Sequence, residues 1–166
     1  MSLMSITSAA VPPILRDVPD VIRTARLIIR PPRPGDGAAV FEAVRESIPD
    51  LRRFPASMGW ALAEPSVAES ERFCRQAYSD FVARRDLPLI ALLGESSTIV
   101  VSSGLHRIDW TVPKFEVGYW GRTSFQGNGY ATEAVRAIVE MAFVLHHERI
   151  APDGTVRNTS VYAKAR

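Results

Sequence analysis

The sequence predicts an α+β domain in which helices pack on a mostly antiparallel sheet, and three observations carry that reading. Three β-prone runs, residues 89–93, 98–109 and 115–120, follow one another with only short turns at 94–97 and 111–114 between them, as in an antiparallel meander. Two other stretches hold one apolar stripe each at helical spacing: Phe73, Ala77 and Phe81, then Ala131, Ala134, Val135, Ile138, Ala142 and Leu145. Finally, 166 residues that are 46% hydrophobic and 23% charged suffice to bury one core and leave little for a second domain.

Taken in order, residues 1–23 read as an extension. Met1 and Met4 lie close together, so Met1 to Leu3 is expected to be a cloning remnant, and no basic residue precedes Arg16, which argues against a secretory leader. The first strand is Arg26-Leu27-Ile28-Ile29-Arg30, stopped by Pro31-Pro32. Asp36 is placed to cap the helix that follows, in which Ala38, Ala39, Phe41, Val44 and Ile48 keep a helical period up to Pro49. A loop rich in Pro, Arg and Trp runs to Pro65, and Ser66 caps the helix bearing Phe73, Ala77 and Phe81. The meander comes next, then the helix of residues 132–145, whose outer face holds Glu133, Arg136 and Glu140 at spacings that allow surface pairing. Residues 149–151 and 156–163 flank Pro152-Asp153-Gly154 and predict a terminal hairpin.

Composition narrows the chemistry. A net charge of +2 and a pI near 9.0 give mild attraction for anionic ligands without the basic runs that would make nucleic acid the main partner. Cys74, the single cysteine, falls within a helical pattern; it predicts a buried apolar residue, no disulfide, and a reducing, cytoplasmic compartment. His106, His146 and His147 have no metal-ligand spacing, and no window is long and apolar enough to span a bilayer, so neither a metal nor a membrane is expected.

The most informative stretch is Gln126-Gly127-Asn128-Gly129-Tyr130-Ala131, behind the strand of residues 115–120 and ahead of a helix. The two glycines allow a sharp turn and close approach of a ligand, while the helix directs its unpaired N–H groups and positive dipole end to the same point. Such a place suits a pyrophosphate. A dinucleotide fingerprint does not fit, since Thr132 stands at the third glycine position, and no Gly-Lys-Ser/Thr triplet exists for a nucleotide P-loop.

Several segments in order resemble the GNAT superfamily of N-acetyltransferases, in particular its RimJ/RimL-like branch. They are Thr24-Ala25-Arg26-Leu27-Ile28-Ile29-Arg30 with Asp36, Gly104-Leu105 with Ile108-Asp109, Gly118-Tyr119-Trp120, the run from Gln126 to Ala131 with Glu133-Ala134, and Pro152-Asp153-Gly154 through Tyr162. The resemblance spans residues 24–163 and implies a single-domain, three-layer fold: a mostly antiparallel mixed sheet flanked by helices, with acetyl-CoA held where two strands splay apart. It implies that Gln126, Gly127, Asn128, Gly129, Tyr130, Ala131 and Thr132 hold the pyrophosphate, with Arg122 as an added charge, and that the pantetheine arm runs along Val117, Tyr119 and Trp120 like an added strand. It further implies direct transfer of acetyl to a primary amine of a protein N-terminus or small molecule. Glu116 is the candidate to take the amine proton and Tyr130 to protonate the thiolate; His106, Asp109 and Tyr162 are weaker candidates for these steps. The acceptor is expected between the terminal hairpin and the early loop that bears Arg52, Arg53, Phe54, Met58 and Trp60.

One departure bears on function. In the family, the helix corresponding to residues 131–145 leads to a parallel strand and a further helix with an Asn near its start before the terminal hairpin. Here Leu145 runs directly into His146-His147-Glu148-Arg149, read as the hairpin's beginning, so a fifth strand and fourth helix are expected to be absent after Leu145. Either the chain has an internal deletion or this sequence lacks a segment of the natural protein. The rival expectation is a CoA-binding module without turnover, and uncovered strand edges predict a homodimer.

Overall fold

The computed structural model describes residues 11–56, 58–112, 114–147 and a short strand at 162–163. Among these, one sheet contains β1 (Ile22–Arg23), β2 (Leu27–Arg30), β3 (Leu87–Leu93), β4 (Ile99–Asp109), β5 (Lys114–Gly121) and β6 (Tyr162–Ala163), in the same spatial order as in the chain. Every neighbouring pair is antiparallel except β5 and β6, which are parallel. Helices α1 (Gly37–Leu51) and α2 (Val67–Val82) cover one face, and α3 (Tyr130–His147) covers the other. This is the predicted mixed three-layer α+β arrangement.

Side-chain alternation on β3 explains how the layers hold together. Leu89 and Ala91 join Ala134, Ile138 and Ala142 of α3 in one apolar cluster, while Ile90 and Leu92 meet Val40, Ala43 and Val44 of α1 and Cys74 of α2 in the other. A strand buried on both faces must be apolar throughout, and Leu87–Leu93 is. Of the predicted stripe on α3, Ala134, Ile138, Ala142 and Leu145 are buried together with Met141, and Ala131 and Val135 are partly buried against the same core.

Local expectations fare unevenly. Ser66 caps α2 as predicted, its hydroxyl accepting from the Glu69 N–H. Asp36 does not cap α1. Its carboxylate is taken by the Arg30 guanidinium and the Arg33 N–H, and the N–H groups of Gly35 and Gly37 donate instead to Glu71 of α2. Pro49 lies inside α1 rather than after it, tolerated because it falls in the last turn, where the Arg52 N–H still reaches the Ile48 carbonyl at 3.0 Å. The buried stripe of α2 is Ser70, Cys74, Ala77 and Phe81; Phe73 is rotated off it and lies 44% exposed. Glu133 is drawn inward to Arg26 and Thr24 rather than pairing along the surface of α3.

After α3 the chain returns as β6, with Glu116 opposite Tyr162 and Val117 opposite Ala163. A two-residue strand parallel to β5 thus follows α3, while the stretch after Leu145 where a strand and a helix are expected to be missing falls mainly on residues outside the described ones. Residues 148–161, and with them the hairpin turn at Pro152-Asp153-Gly154, lie outside the described residues, as do Met1 to Leu3.

Candidate functional site

The chain leaves β5 at Gly121, makes a 3-10 turn at Thr123–Phe125 and enters α3 through Gln126-Gly127-Asn128-Gly129. Gly127 and Gly129 have φ of +78° and +77°, a region that disfavours side chains. The loop's carbonyls are held from behind. The Asn128 amide donates to the carbonyls of Phe125 and Gln126, and Arg26 donates to the carbonyl of Asn128 at 2.9 Å. Helical bonding begins with the Glu133 N–H, which donates to the Gly129 carbonyl.

Consequently, no acceptor among the described residues engages the N–H groups of Gly127, Asn128, Gly129, Tyr130, Ala131 or Thr132. Six consecutive N–H donors without an acceptor among the described residues thus stand at the start of an 18-residue helix, the donor arrangement that an anion needs. A Cβ at Gly127 would meet nothing within 4 Å, so the space beside it is open. Gln126 is the exception to the predicted set, because its N–H already donates to the Thr123 carbonyl.

Two polar clusters fix the cradle to the scaffold. Arg26 lies over the Tyr130 ring, 4.5 Å from its centroid, and binds Glu133, whose carboxylate also accepts from the Thr24 hydroxyl at 2.6 Å. Burial would raise the Glu133 pKa, but these donors outweigh it and hold it low. On the other side, Glu46 of α1 accepts from Arg122 and the Ser124 N–H, while Ser47 and Asp50 bind Thr123. Hydrogen bonding from Ser124, aided by Arg122, lowers the Glu46 pKa to about 2. Arg122 is therefore committed to Glu46 instead of being a spare charge for a ligand.

The edge of β5 continues the cradle. β6 pairs only with Glu116 and Val117, so Gly118 to Gly121 have no strand on that side among the described residues. Strands that meet at one end and part at the other leave backbone groups for an extended ligand. Val117 packs in the α3-side core and strand alternation turns Tyr119 the same way, while Trp120 packs with the α1-side cluster and lines a cleft on the opposite face.

That cleft, of about 780 Å³, lies between α1, α2, the α1–α2 loop and the face of β3 to β5. Met58 and Trp60 line it as predicted, with Trp60 and Trp120 rings 6.1 Å apart. Arg52, Arg53 and Phe54 do not; Arg52 instead ties the loop by donating to the Ala61 carbonyl and Glu64. At the sheet end of the cleft, His106 Nδ1 lies 2.8 Å from Asp86. Glu116 faces His106 in register, but its carboxylate turns to Arg107 at 2.8 Å and it does not line the cleft. Tyr130 packs against the α3-side core, away from the cleft, and Asp109 is spent on Thr111 and Val112. The side chain of Tyr162 is not among those described.

Asp86 is the residue that sequence reasoning missed. It stands 20 positions from His106, and only the pairing of Leu87 with Leu105 brings the two together. No local motif announces it.

The fold is thus a mixed-sheet α+β domain with a row of N–H donors at a helix start beside the point where β5 loses its outer neighbour among the described residues. Residues 26–163 match the model of the acetyltransferase (GNAT) domain, and the chain belongs to that family. Among solved structures, the microcin C7 self-immunity acetyltransferase MccE, in complex with acetyl-CoA and AMP, is similar with a TM-score of 0.65 and 20% identity over 74% of this chain and 66% of that one. RimL, a ribosomal alpha-N-protein acetyltransferase in complex with coenzyme A, gives 0.65 and 16% over 72% and 66%. An acetyltransferase from Agrobacterium tumefaciens gives 0.54 and 25% over 77% and 68%. The match thus spans just under two thirds of the first of these chains. No curated protein matches. Among the described residues no cluster of His, Cys, Asp or Glu could hold a metal ion, and no helix is long and apolar enough to cross a membrane.

Proposed function

We propose that the protein is an acetyl-CoA-dependent N-acetyltransferase that moves an acetyl group directly to a primary amine. The observation that carries this reading is the row of six N–H groups from Gly127 to Thr132 that meet no acceptor among the described residues, continuous with the edge of β5 that has no described strand beside it. The N–H groups bind the pyrophosphate of acetyl-CoA, and the pantetheine arm adds to β5 along Gly118, Tyr119 and Trp120. An N–H on that edge polarises the thioester carbonyl as charge develops on its oxygen. The solved relatives that carry acetyl-CoA or coenzyme A support the choice of ligand. A protein N-terminus and a small-molecule amine are both acceptors compatible with direct transfer.

Calorimetric titration with acetyl-CoA, followed by detection of free thiol in the presence of an amine panel, tests the proposal. Binding with thiol release supports the transferase. Binding without release for any amine favours a silent CoA-binding module, and no binding refutes both. A cytoplasmic location and a homodimer are part of the same proposal; sedimentation at several concentrations that shows only monomer rejects the dimer.

A further inference from the structure

We infer that the cleft between α1, α2 and the sheet receives a primary amine carried on a flat apolar body, and that His106, backed by Asp86, takes the ammonium proton. This inference rests on the transferase reading above. The walls supply the body's site: Trp60 and Trp120 lie tilted by 43° with centroids 6.1 Å apart, and Met58 and Phe73 line the same space. Aromatic surfaces held half-open in this way favour a planar apolar group over a small polar one.

The sheet end supplies the chemistry. Asp86 is 2.8 Å from His106 Nδ1, which orients the ring, and Nε2 has no partner among the described residues. A Cβ at Gly104 would come within 2.8 Å of His106 Cε1, and one at Gly118 would sit 3.6 Å from Cδ2. Gly104, two residues back on β4 itself, and Gly118 on β5 thus leave room for the imidazole. Nε2 lies 2.9 Å from a Cβ placed at Gly104 and 4.0 Å from one at Gly118, the residue where β5 loses its outer strand neighbour among the described residues. With Asp86 accepting from Nδ1–H, Nε2 carries the lone pair that a base needs.

The step balances without another reactant. The ammonium gives one proton to Nε2, and the neutral amine nitrogen attacks the thioester carbonyl carbon. The C–S bond breaks with its electron pair on sulfur, the second proton that the nitrogen sheds as the amide forms passes to the thiolate, and the imidazolium releases its own to solvent. Other charges facing this region are already paired: Glu116 on β5 with Arg107, Asp80 on α2 with Arg85, Glu69 with Arg72 and Glu64 with Arg52.

The test compares 2-phenylethylamine, spermidine and a serine-initiated tripeptide as acceptors, and His106→Gln, Asp86→Asn and Glu116→Gln as variants, with coenzyme A affinity measured for each protein. The expected result is a kcat/KM for phenylethylamine at least about tenfold above the other two acceptors. His106→Gln is expected to lose roughly 100-fold in kcat with unchanged coenzyme A affinity, and to lose the acidic limb of the pH profile. Asp86→Asn should shift that limb and lose less, and Glu116→Gln should stay within about threefold. Preference for the tripeptide or spermidine, turnover of none of the amines, or His106→Gln within threefold of the parent would overturn the inference while coenzyme A still binds. Failure of coenzyme A to bind the parent protein strikes the transferase reading and this inference with it.

Discussion

Arg26 links three parts of the cradle: its side chain donates to Glu133 and to the Asn128 carbonyl, and its guanidinium lies over Tyr130. Because the arginine is partly exposed, its ion pair is worth little alone, so Arg26→Met should cost about 1 kcal/mol of stability. The larger effect belongs to the ligand. Releasing the Asn128 carbonyl lets the loop relax, and coenzyme A affinity should fall about tenfold, a shift that calorimetry of the variant would detect. Cys74 marks the opposite extreme. Burial pushes its thiol up to about 12, with Asp36 and Glu71 adding to the effect, so the native protein should resist thiol reagents that label it at once in denaturant.

At the scale of elements, the crossing of α1 and α2 holds one wall of the cleft in place. Gly37 is where they touch: a Cβ there would lie 2.6 Å from the Glu71 Cβ and 2.7 Å from its Cα. Backbone cannot yield as a side chain can, so Gly37→Ala should destabilise by about 1–3 kcal/mol, read as a lower urea midpoint at unchanged slope. The helices and the meander were legible in sequence because their signals are periodic and local, as in Ala134, Ile138, Ala142 and Leu145. The cap on α1 was not. Asp36 had the right residue type, but Arg30 lay close enough to claim it, and the actual acceptor, Glu71, comes from another helix. The same limit applies to the site. Gly127 and Gly129 announce the sharp turn into α3 by type and spacing, whereas the Asp86–His106 contact depends on strand register that no short window contains.

For the molecule as a whole, several carboxylates tie the layers together and are held below their ordinary range. Asp36 is lowered by Arg30 and Arg33 against the opposing effect of burial, Glu133 by Thr24 and Arg26 against the same, and Glu46 to about 2 through Ser124 and Arg122. The folded state therefore binds fewer protons than the unfolded state in this range. Stability from these groups is complete above the ordinary carboxylate value of 4.5 and is lost as pH falls toward about 2. Thermal melts should show a flat Tm from pH 7 to about 5 and a steep decline below; a Tm that holds to about pH 3 would contradict this. Because Glu46 and Glu133 fasten the two sides of the cradle, ligand affinity should decline over the same acid range.

The central claim is that the turn between β5 and α3 holds the pyrophosphate of coenzyme A on backbone N–H groups. Titration of coenzyme A into the parent protein and into Gly127→Val and Gly129→Val tests it most directly, with a melt of each variant to confirm folding. Valine cannot keep φ near +78° or +77°, so the parent should bind one equivalent while both folded variants lose binding by a hundredfold or more. Unchanged affinity in either folded variant would contradict the account.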